Sequence, residues 1–281
     1  MIPKSFIKYH GLGNDFAIFI GGMDDCPPFS PTHVAELCRR GPGIGGDGIC
    51  LARASDVADV RMELINSDGS IPEMCGNGLR CFVKFAVEVL GMTNNPLLVD
   101  TNGGVKACYW MGRSEGVVDS VKVDMGRPSF ERAVIPMTGE GSSENVVIES
   151  QGRQFTVTGV NTGNPHMVIF GDSSLDLAKT YGPHLTHHPM WPKGTNVEFA
   201  KVLTAEEIEA SVWERGCGLT QACGTGATAT ATAAIRLGYS SFDTPISVHL
   251  PGGDLIITVE TDYRTAWMEG PVVELYRGTL S

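Results

Sequence analysis

Two stretches of the chain carry a helical hydrophobic pattern. After Gly78 the apolar positions Leu79, Phe82, Val83, Phe85, Ala86, Val87, Val89 and Leu90 nearly encircle a helix and leave one polar stripe of Arg80, Lys84 and Glu88. Such a helix belongs in a core. The segment Ala227 to Ile235 alternates Ala and Thr, which by period alone suits a strand. The helix propensity of alanine and a C-terminal stop at Gly238 favour a helix instead. Around these lie short β-type runs: Ser5 to Lys8, Ala17 to Ile20, Asp59 to Ile65, Leu97 to Val99, Lys106 to Trp110 and Ser120 to Asp124. Later come Gln154 to Gly159, Met167 to Phe170, Asn196 to Val202, Glu209 to Glu214, Ile246 to Leu250, Asp254 to Glu260 and Ala266 to Glu269. The pattern predicts an α+β protein of two domains, each with many strands wrapped on one central helix, and a hinge near Gly126-Arg127-Pro128.

The two halves repeat each other. Gly13-Asn14-Asp15-Phe16 and its apolar run return as Gly163-Asn164-Pro165-His166, with Asn164 lying 150 positions after Asn14. Gly43 to Ile49 has a looser counterpart in Lys193 to Phe199. The sharpest match is Cys75-Gly76-Asn77-Gly78 with Cys223-Gly224-Thr225-Gly226, 148 positions apart. Each opens a helical segment that stops at Leu-Gly, at Leu90-Gly91 and Leu237-Gly238. The second helix therefore inherits support from the first.

Composition narrows the function. With 21 Lys+Arg against 32 Asp+Glu the net charge is −11, which repels a nucleic-acid backbone or an anionic membrane and admits a small zwitterion. No run approaches the roughly 20 apolar residues of a membrane span, and the N-terminal residues have no apolar signal region, so a cytoplasmic protein is expected. The eight cysteines, at 26, 38, 50, 75, 81, 108, 217 and 223, include no C-x-x-C pair and no zinc spacing. Most are expected to pack as small hydrophobes. Cys81 falls inside the first helix, and Cys217 in a loop that leaves it partly exposed. His184, His187 and His188 read as a polar loop, without a metal.

Cys75 and Cys223 differ from the rest because each stands where a loop turns into a helix. A helix N-terminus lowers a thiol pKa, and the glycines that follow let backbone N–H groups approach an anion closely. Inversion at the α-carbon of an amino acid removes a proton from one face and delivers one to the other, which two groups on opposite walls accomplish if one is thiolate while the other is thiol. Amides aimed at the substrate carboxylate stabilise the charge that develops there. A single C-G-x-G is compatible with a mere tight turn; two, on duplicated halves, point to the paired chemistry.

Over most of its length the sequence resembles the diaminopimelate epimerase family. The strings that carry the resemblance are His10-Gly11-Leu12-Gly13-Asn14-Asp15-Phe16, Asn66-Ser67-Asp68-Gly69-Ser70, Met74-Cys75-Gly76-Asn77-Gly78-Leu79-Arg80, Gly163-Asn164-Pro165-His166, Asn196, Glu214-Arg215-Gly216 and Ala222-Cys223-Gly224-Thr225-Gly226, in the family's order. The resemblance implies two pseudo-symmetric domains, each a barrel-like sheet on a central helix, with the active site in the cleft between them. It places Val272 to Tyr276 back in the first domain, which makes the domains 1–126 plus 271–281 and 127–270. It implies no pyridoxal phosphate, no other cofactor and no metal, interconversion of LL- and meso-diaminopimelate, and a homodimer involving Tyr276. Cys75 and Cys223 are then proton donor and acceptor, and His166 and Glu214 tune their ionisation. Gly76, Asn77, Gly224 and Thr225 supply amides to the reacting carboxylate. Asn14, Asn66, Asn164, Asn196, Arg215 and Glu214 read the distal ammonium and carboxylate, which suits the donor and acceptor of Asn and the planar fork of Arg.

The chain departs from the family at two places. Gly48 stands where many members have Gln, and Cys217-Gly218-Leu219-Thr220 where Ala-Gly-Glu-Thr is frequent. Rival readings are a racemase of another amino acid such as proline or histidine, a thiol redox couple, and an amino-acid binding module. A binding module would need no thiols, and the Asn/Arg set argues for a second zwitterionic centre.

Overall fold

The computed structural model describes residues 5–20, 29–72, 75–114 and 116–280; Cys26 and Met74 lie outside them. The chain divides into two compact units, Met1–Val123 with Glu269–Ser281, and Asp124–Met268. In chain order the first half contributes β1 (Ser5–Gly11), β2 (Asn14–Phe19), α1 (Pro31–Cys38), β3 (Gly48–Arg53), β4 (Val60–Asn66), α2 (Gly76–Glu88), β5 (Leu97–Thr101), β6 (Gly104–Met111) and β7 (Ser120–Gly126). The second contributes β8 (Val146–Ser150), β9 (Arg153–Asn161), β10 (Pro165–Phe170), α3 (Leu175–Leu185), β11 (Asn196–Thr204), β12 (Glu207–Glu214), β13 (Gly218–Leu219), α4 (Gly224–Arg236), β14 (Ile246–Leu250), β15 (Gly253–Val259) and β16 (Ala266–Pro271). The final strand, β17 (Val273–Thr279), returns to the first unit and pairs antiparallel with β1.

The pairing pattern is the same in both units. In the first, β1/β2 is antiparallel, β2/β3 parallel, β3/β4 antiparallel, β4/β5 parallel and β5/β6 antiparallel. In the second, β9/β10, β10/β11, β11/β12, β12/β14 and β14/β15 follow that alternation. The fold is α+β with two pseudo-symmetric domains. Each parallel step needs a crossover, and the crossovers hold the four α-helices: α1 and α3 at the first, α2 and α4 at the second.

Helix α2 packs against β1, β2, β3, β4 and β6, and α4 against β9, β10, β11, β12, β14 and β15. Leu79, Phe82, Val83 and Phe85 are fully buried, each contributing about 1.5–3 kcal/mol relative to exposure. Arg80 and Lys84 of the polar stripe of α2 are buried as well, contrary to what their composition suggests, and Glu88 is half-buried. Arg80 donates from Nε to Pro271 O at 3.3 Å, and Lys84 donates to Glu88 Oε1 at 2.7 Å and to Val118 O at 2.6 Å. Helix α4 buries every residue from Gly224 to Ile235. Its threonines fit because Thr228 and Thr232 donate to the carbonyls four residues back, at 2.8 and 2.7 Å. It ends with Gly238 at φ +80° and Tyr239 N donating to Ala234 O at 2.8 Å, a left-handed stop that suits glycine.

Outside these central layers, α1 covers a cluster around Phe19, Phe29, Ile49 and Leu51, and α3 one around Phe155, Trp191 and Phe199. The sequence pattern anticipates neither α1 nor α3. Gly182 and Pro183 punctuate the last turn of α3, so His184 lies in a helix rather than in the polar loop expected there, while His187 and His188 follow it. Among the described residues no helix is long and apolar enough to cross a membrane.

Candidate active site

Both helix starts use cysteine as the cap. Cys75 caps α2 and its Sγ accepts from Gly78 N at 3.3 Å; Cys223 caps α4 and its Sγ accepts from Gly226 N at 3.3 Å. Sulfur takes the place that an N-cap oxygen usually fills. Leu79 N and Ala227 N close the first helical bonds onto Cys75 O and Cys223 O, at 2.9 Å each. At α4 the amides of Gly224 and Thr225 thus have no acceptor among the described residues, and they form the donor end expected for an anion.

In the first unit, the β1–β2 hairpin turns through Leu12 and Gly13, both at positive φ (+56° and +84°). That primed turn sets Asn14 as the first residue of β2. Asn77 Nδ2 donates to Asn14 Oδ1 at 3.2 Å, and the Cys75 thiol lies 3.9 Å from the same oxygen. Asn14 Nδ2 donates to Asp47 Oδ2 at 2.7 Å. Asp47 joins a network that sequence reasoning missed: Arg40 bridges Asp47 and Asp15 at 3.0 and 2.7 Å, and buried Lys8 sits 2.9 Å from Asp15 and donates to Gly45 O. Burial raises the Asp15 carboxyl, but its hydrogen bonds with Arg40 and Lys8 outweigh this and hold it below its ordinary value. Asn66 ends β4 and donates to Ser70 Oγ at 3.0 Å. Gly48 pairs with Asn66, and a Cβ at Gly48 would come within 2.6 Å of Ile65 O, so this backbone leaves no room there for a longer side chain.

In the second unit, Asn164 occupies the equivalent turn and accepts on Oδ1 from His166 Nε2 at 2.7 Å. His166 Nδ1 lies 2.7 Å from Glu198 Oε1, and both residues have zero exposure. Asn196 donates from Nδ2 to Pro165 O at 3.0 Å and accepts from Arg215 N at 2.9 Å, so its amide ties β10 to the Glu214-Arg215 turn. The exposed Arg215 guanidinium donates from Nη1 to Lys193 O at 3.0 Å. Thr220 Oγ1 donates to Glu214 Oε1 at 2.6 Å, and Thr225 Oγ1 lies 3.4 Å from Cys223 Sγ. Glu214 is only partly covered as a residue, but its carboxyl is enclosed, and desolvation raises it.

A lowered thiol is what a helix start predicts; at Cys223 the direction is the opposite. Desolvation first, with the nearby Glu214 and Glu198 carboxyls adding to it, pushes the thiol well above its ordinary value and outweighs the contacts from Thr225 and the Gly226 amide. Cys81 is buried within α2 and its thiol is pushed up to about 12 by desolvation, while Cys217 is exposed.

The register also corrects the looser part of the internal repeat. Phe16 lies opposite Gly48 in β2/β3 and His166 opposite Asn196 in β10/β11, so Gly48 corresponds to Asn196, 148 positions on, and Cys50 to Glu198. The spacing thus matches that of the two cysteines. Glu198 is the residue of the second half-site that the sequence reading passed over. Its signal is one carboxylate inside a strand, Asn196 to Ala200, that is otherwise continuously buried.

A family model described as diaminopimelate epimerase matches residues 6–131 and 158–275. Relatives of that description include one from Desulfitobacterium hafniense, 41% identical over 98% of this chain and 97% of its own. Another, from Moorella thermoacetica, is 42% identical over 97% and 98%. Among solved structures, a hydroxyproline epimerase from Agrobacterium vitis superposes with a TM-score of 0.70 at 14% identity, covering 99% of this chain and 90% of that one; this likeness concerns the fold alone.

Proposed function

Because the chain belongs to the diaminopimelate epimerase family, we propose that it is an isomerase that interconverts LL- and meso-diaminopimelate, with Cys75 and Cys223 as acid and base. The observation that carries this reading is the repeated cap: one cysteine in each unit, at the start of a buried helix, with a glycine amide on its sulfur.

One thiolate takes the proton from Cα and becomes a thiol. The other thiol gives its proton to the opposite face and becomes the thiolate, and the reverse reaction exchanges the roles. The carboxylate on that carbon rests on the amides of Gly76, Asn77, Gly224 and Thr225, where donors of this kind contribute about 3–4 kcal/mol each to the developing charge. Cys223 enters as the thiol, which its burial and the Glu214 carboxyl beside it favour. Glu214, within hydrogen-bonding reach of Cys223, and His166 tune the ionisation of the pair. Asn14, Asn66, Asn164, Asn196 and Arg215, with Glu214, read the distal centre.

The reaction belongs to lysine biosynthesis and takes place in the cytoplasm, without a cofactor. A homodimer uses β17, whose Val273, Leu275 and Tyr276 are exposed, with Tyr276 braced on Ile44 O at 3.2 Å.

Incubating LL-diaminopimelate with the protein in D₂O is expected to place deuterium at one α-carbon with inversion. Cys75→Ala and Cys223→Ala each lose at least about 100-fold in turnover, while Cys81→Ala retains it. Inversion that survives in either of the first two variants overturns the assignment.

A further inference from the structure

Glu198 is a fully buried carboxyl that the roles above do not use. Its place in the internal repeat shows what the fold itself requires there. Phe16 and Cys50 of the first unit stand at the positions of His166 and Glu198 in the second, and all four are buried. The first unit therefore closes around a ring and a thiol, with no ionisable pair of this kind. Apolar side chains in place of a buried ion pair are commonly neutral or stabilising, so the pair in the second unit answers to the site beside it.

The hydrogen bonds fix where the protons lie. Asn164 Oδ1 only accepts, so His166 Nε2 carries a hydrogen. On the other side Nδ1 meets Glu198 Oε1 at 2.7 Å. Glu198 Oε2 has neither solvent nor a hydrogen-bond partner among the described residues. A carboxylate would strand half its charge on that oxygen, whereas a carboxylic acid strands only a carbonyl. Desolvation also raises the Glu198 carboxyl, outweighing the pull of His166 and of the Glu198 and Met167 amides. The other ionisable groups around the pair are Glu214 on β12 and Cys223 at the start of α4, neither of them a cation; across β9, His166 faces Val160.

We propose that Glu198 is a positioning residue: as the neutral acid it donates to His166 Nδ1, holds the ring as the neutral Nε2–H form, and so points the Asn164 oxygen inward and its amide Nδ2 toward the ligand. No positive charge then stands beside Cys223, which remains a thiol. The inference rests on the roles proposed above for Cys223 and Asn164.

The test uses the full chain with ¹⁵N-labelled histidine at neutral pH. For His166 it is expected to show a proton on Nε2 and a hydrogen-bonded, unprotonated Nδ1; protons on both ring nitrogens overturn the proposal. Glu198→Gln keeps a donor at this position, so it retains the same ring state and a kcat/KM within about threefold of wild type. Glu198→Met removes the donor at similar size and loses about 10- to 100-fold. If Gln is as damaging as Met, charge rather than donation is what matters and the proposal fails. Should the Met variant not fold, the wild-type spectrum and the Gln variant decide. Absence of diaminopimelate turnover by the wild type, with the expected ring state present, would defeat the functional reading and leave the Glu198 assignment standing.

Discussion

Glu214 has an enclosed carboxyl, raised by desolvation, with Thr220 donating to one oxygen. The native state therefore holds this proton where the unfolded chain has lost it. Between the ordinary glutamate value, about 4.3, and the raised native one, the folded protein binds more protons than the unfolded, so its stability falls as pH rises. Glu214→Gln removes that dependence. Its melting temperature is expected to gain on the wild type as pH climbs through this window; a difference that stays constant with pH would contradict the buried acid. At the same scale, the two cysteines were readable because a repeated Cys-Gly-x-Gly needs no tertiary context. Lys8, Arg40, Asp47 and Glu198 were not, since their importance comes from strand register that brings distant positions together. The pairing of β2 with β3 and of β10 with β11 is what matches Gly48 with Asn196 and Cys50 with Glu198.

Among the helices, α4 shows how packing overrides period. Its Ala/Thr alternation by period alone suits a strand, and the buried helix accommodates its threonines because Thr228 and Thr232 return their hydroxyls to the helix backbone. Thr230 does not: its Oγ1 is buried without a partner among the described residues. A buried hydroxyl of this kind costs about 1–3 kcal/mol. Thr230→Val keeps the shape and is expected to raise the unfolding free energy in urea by about 1 kcal/mol, whereas Thr232→Val gains nothing. A loss at Thr230 would mean that the hydroxyl is bonded after all. Strands with alternating burial, such as β7 and β14, were readable from their period. β3 and α3 were not, because β3 is buried almost throughout and α3 carries Gly182-Pro183 in its last turn.

Across the whole molecule, the two units share a pairing plan but differ in what fills it. The first has the Lys8–Asp15–Arg40 network and the second the His166–Glu198 pair. Removing one partner of a buried ion pair costs about 3–5 kcal/mol, so Asp15→Asn is expected to destabilise the first unit by roughly that amount by leaving Lys8 uncompensated. The sign with pH follows from an acid held below its ordinary value. The wild-type advantage is full above about 3.9 and disappears as pH falls through the native value. Calorimetry of the variant checks this, and an unchanged transition would refute it.

The last strand of the chain completes the first unit, while the second unit is one continuous stretch. As the polypeptide leaves the ribosome, β1 is made well before β17 and keeps one bare edge, a hazard for stray strand pairing, until that partner follows the whole of the second unit. The second unit needs no strand from outside its own stretch and is free to close before the first, which stays open at one side until β17 is in place.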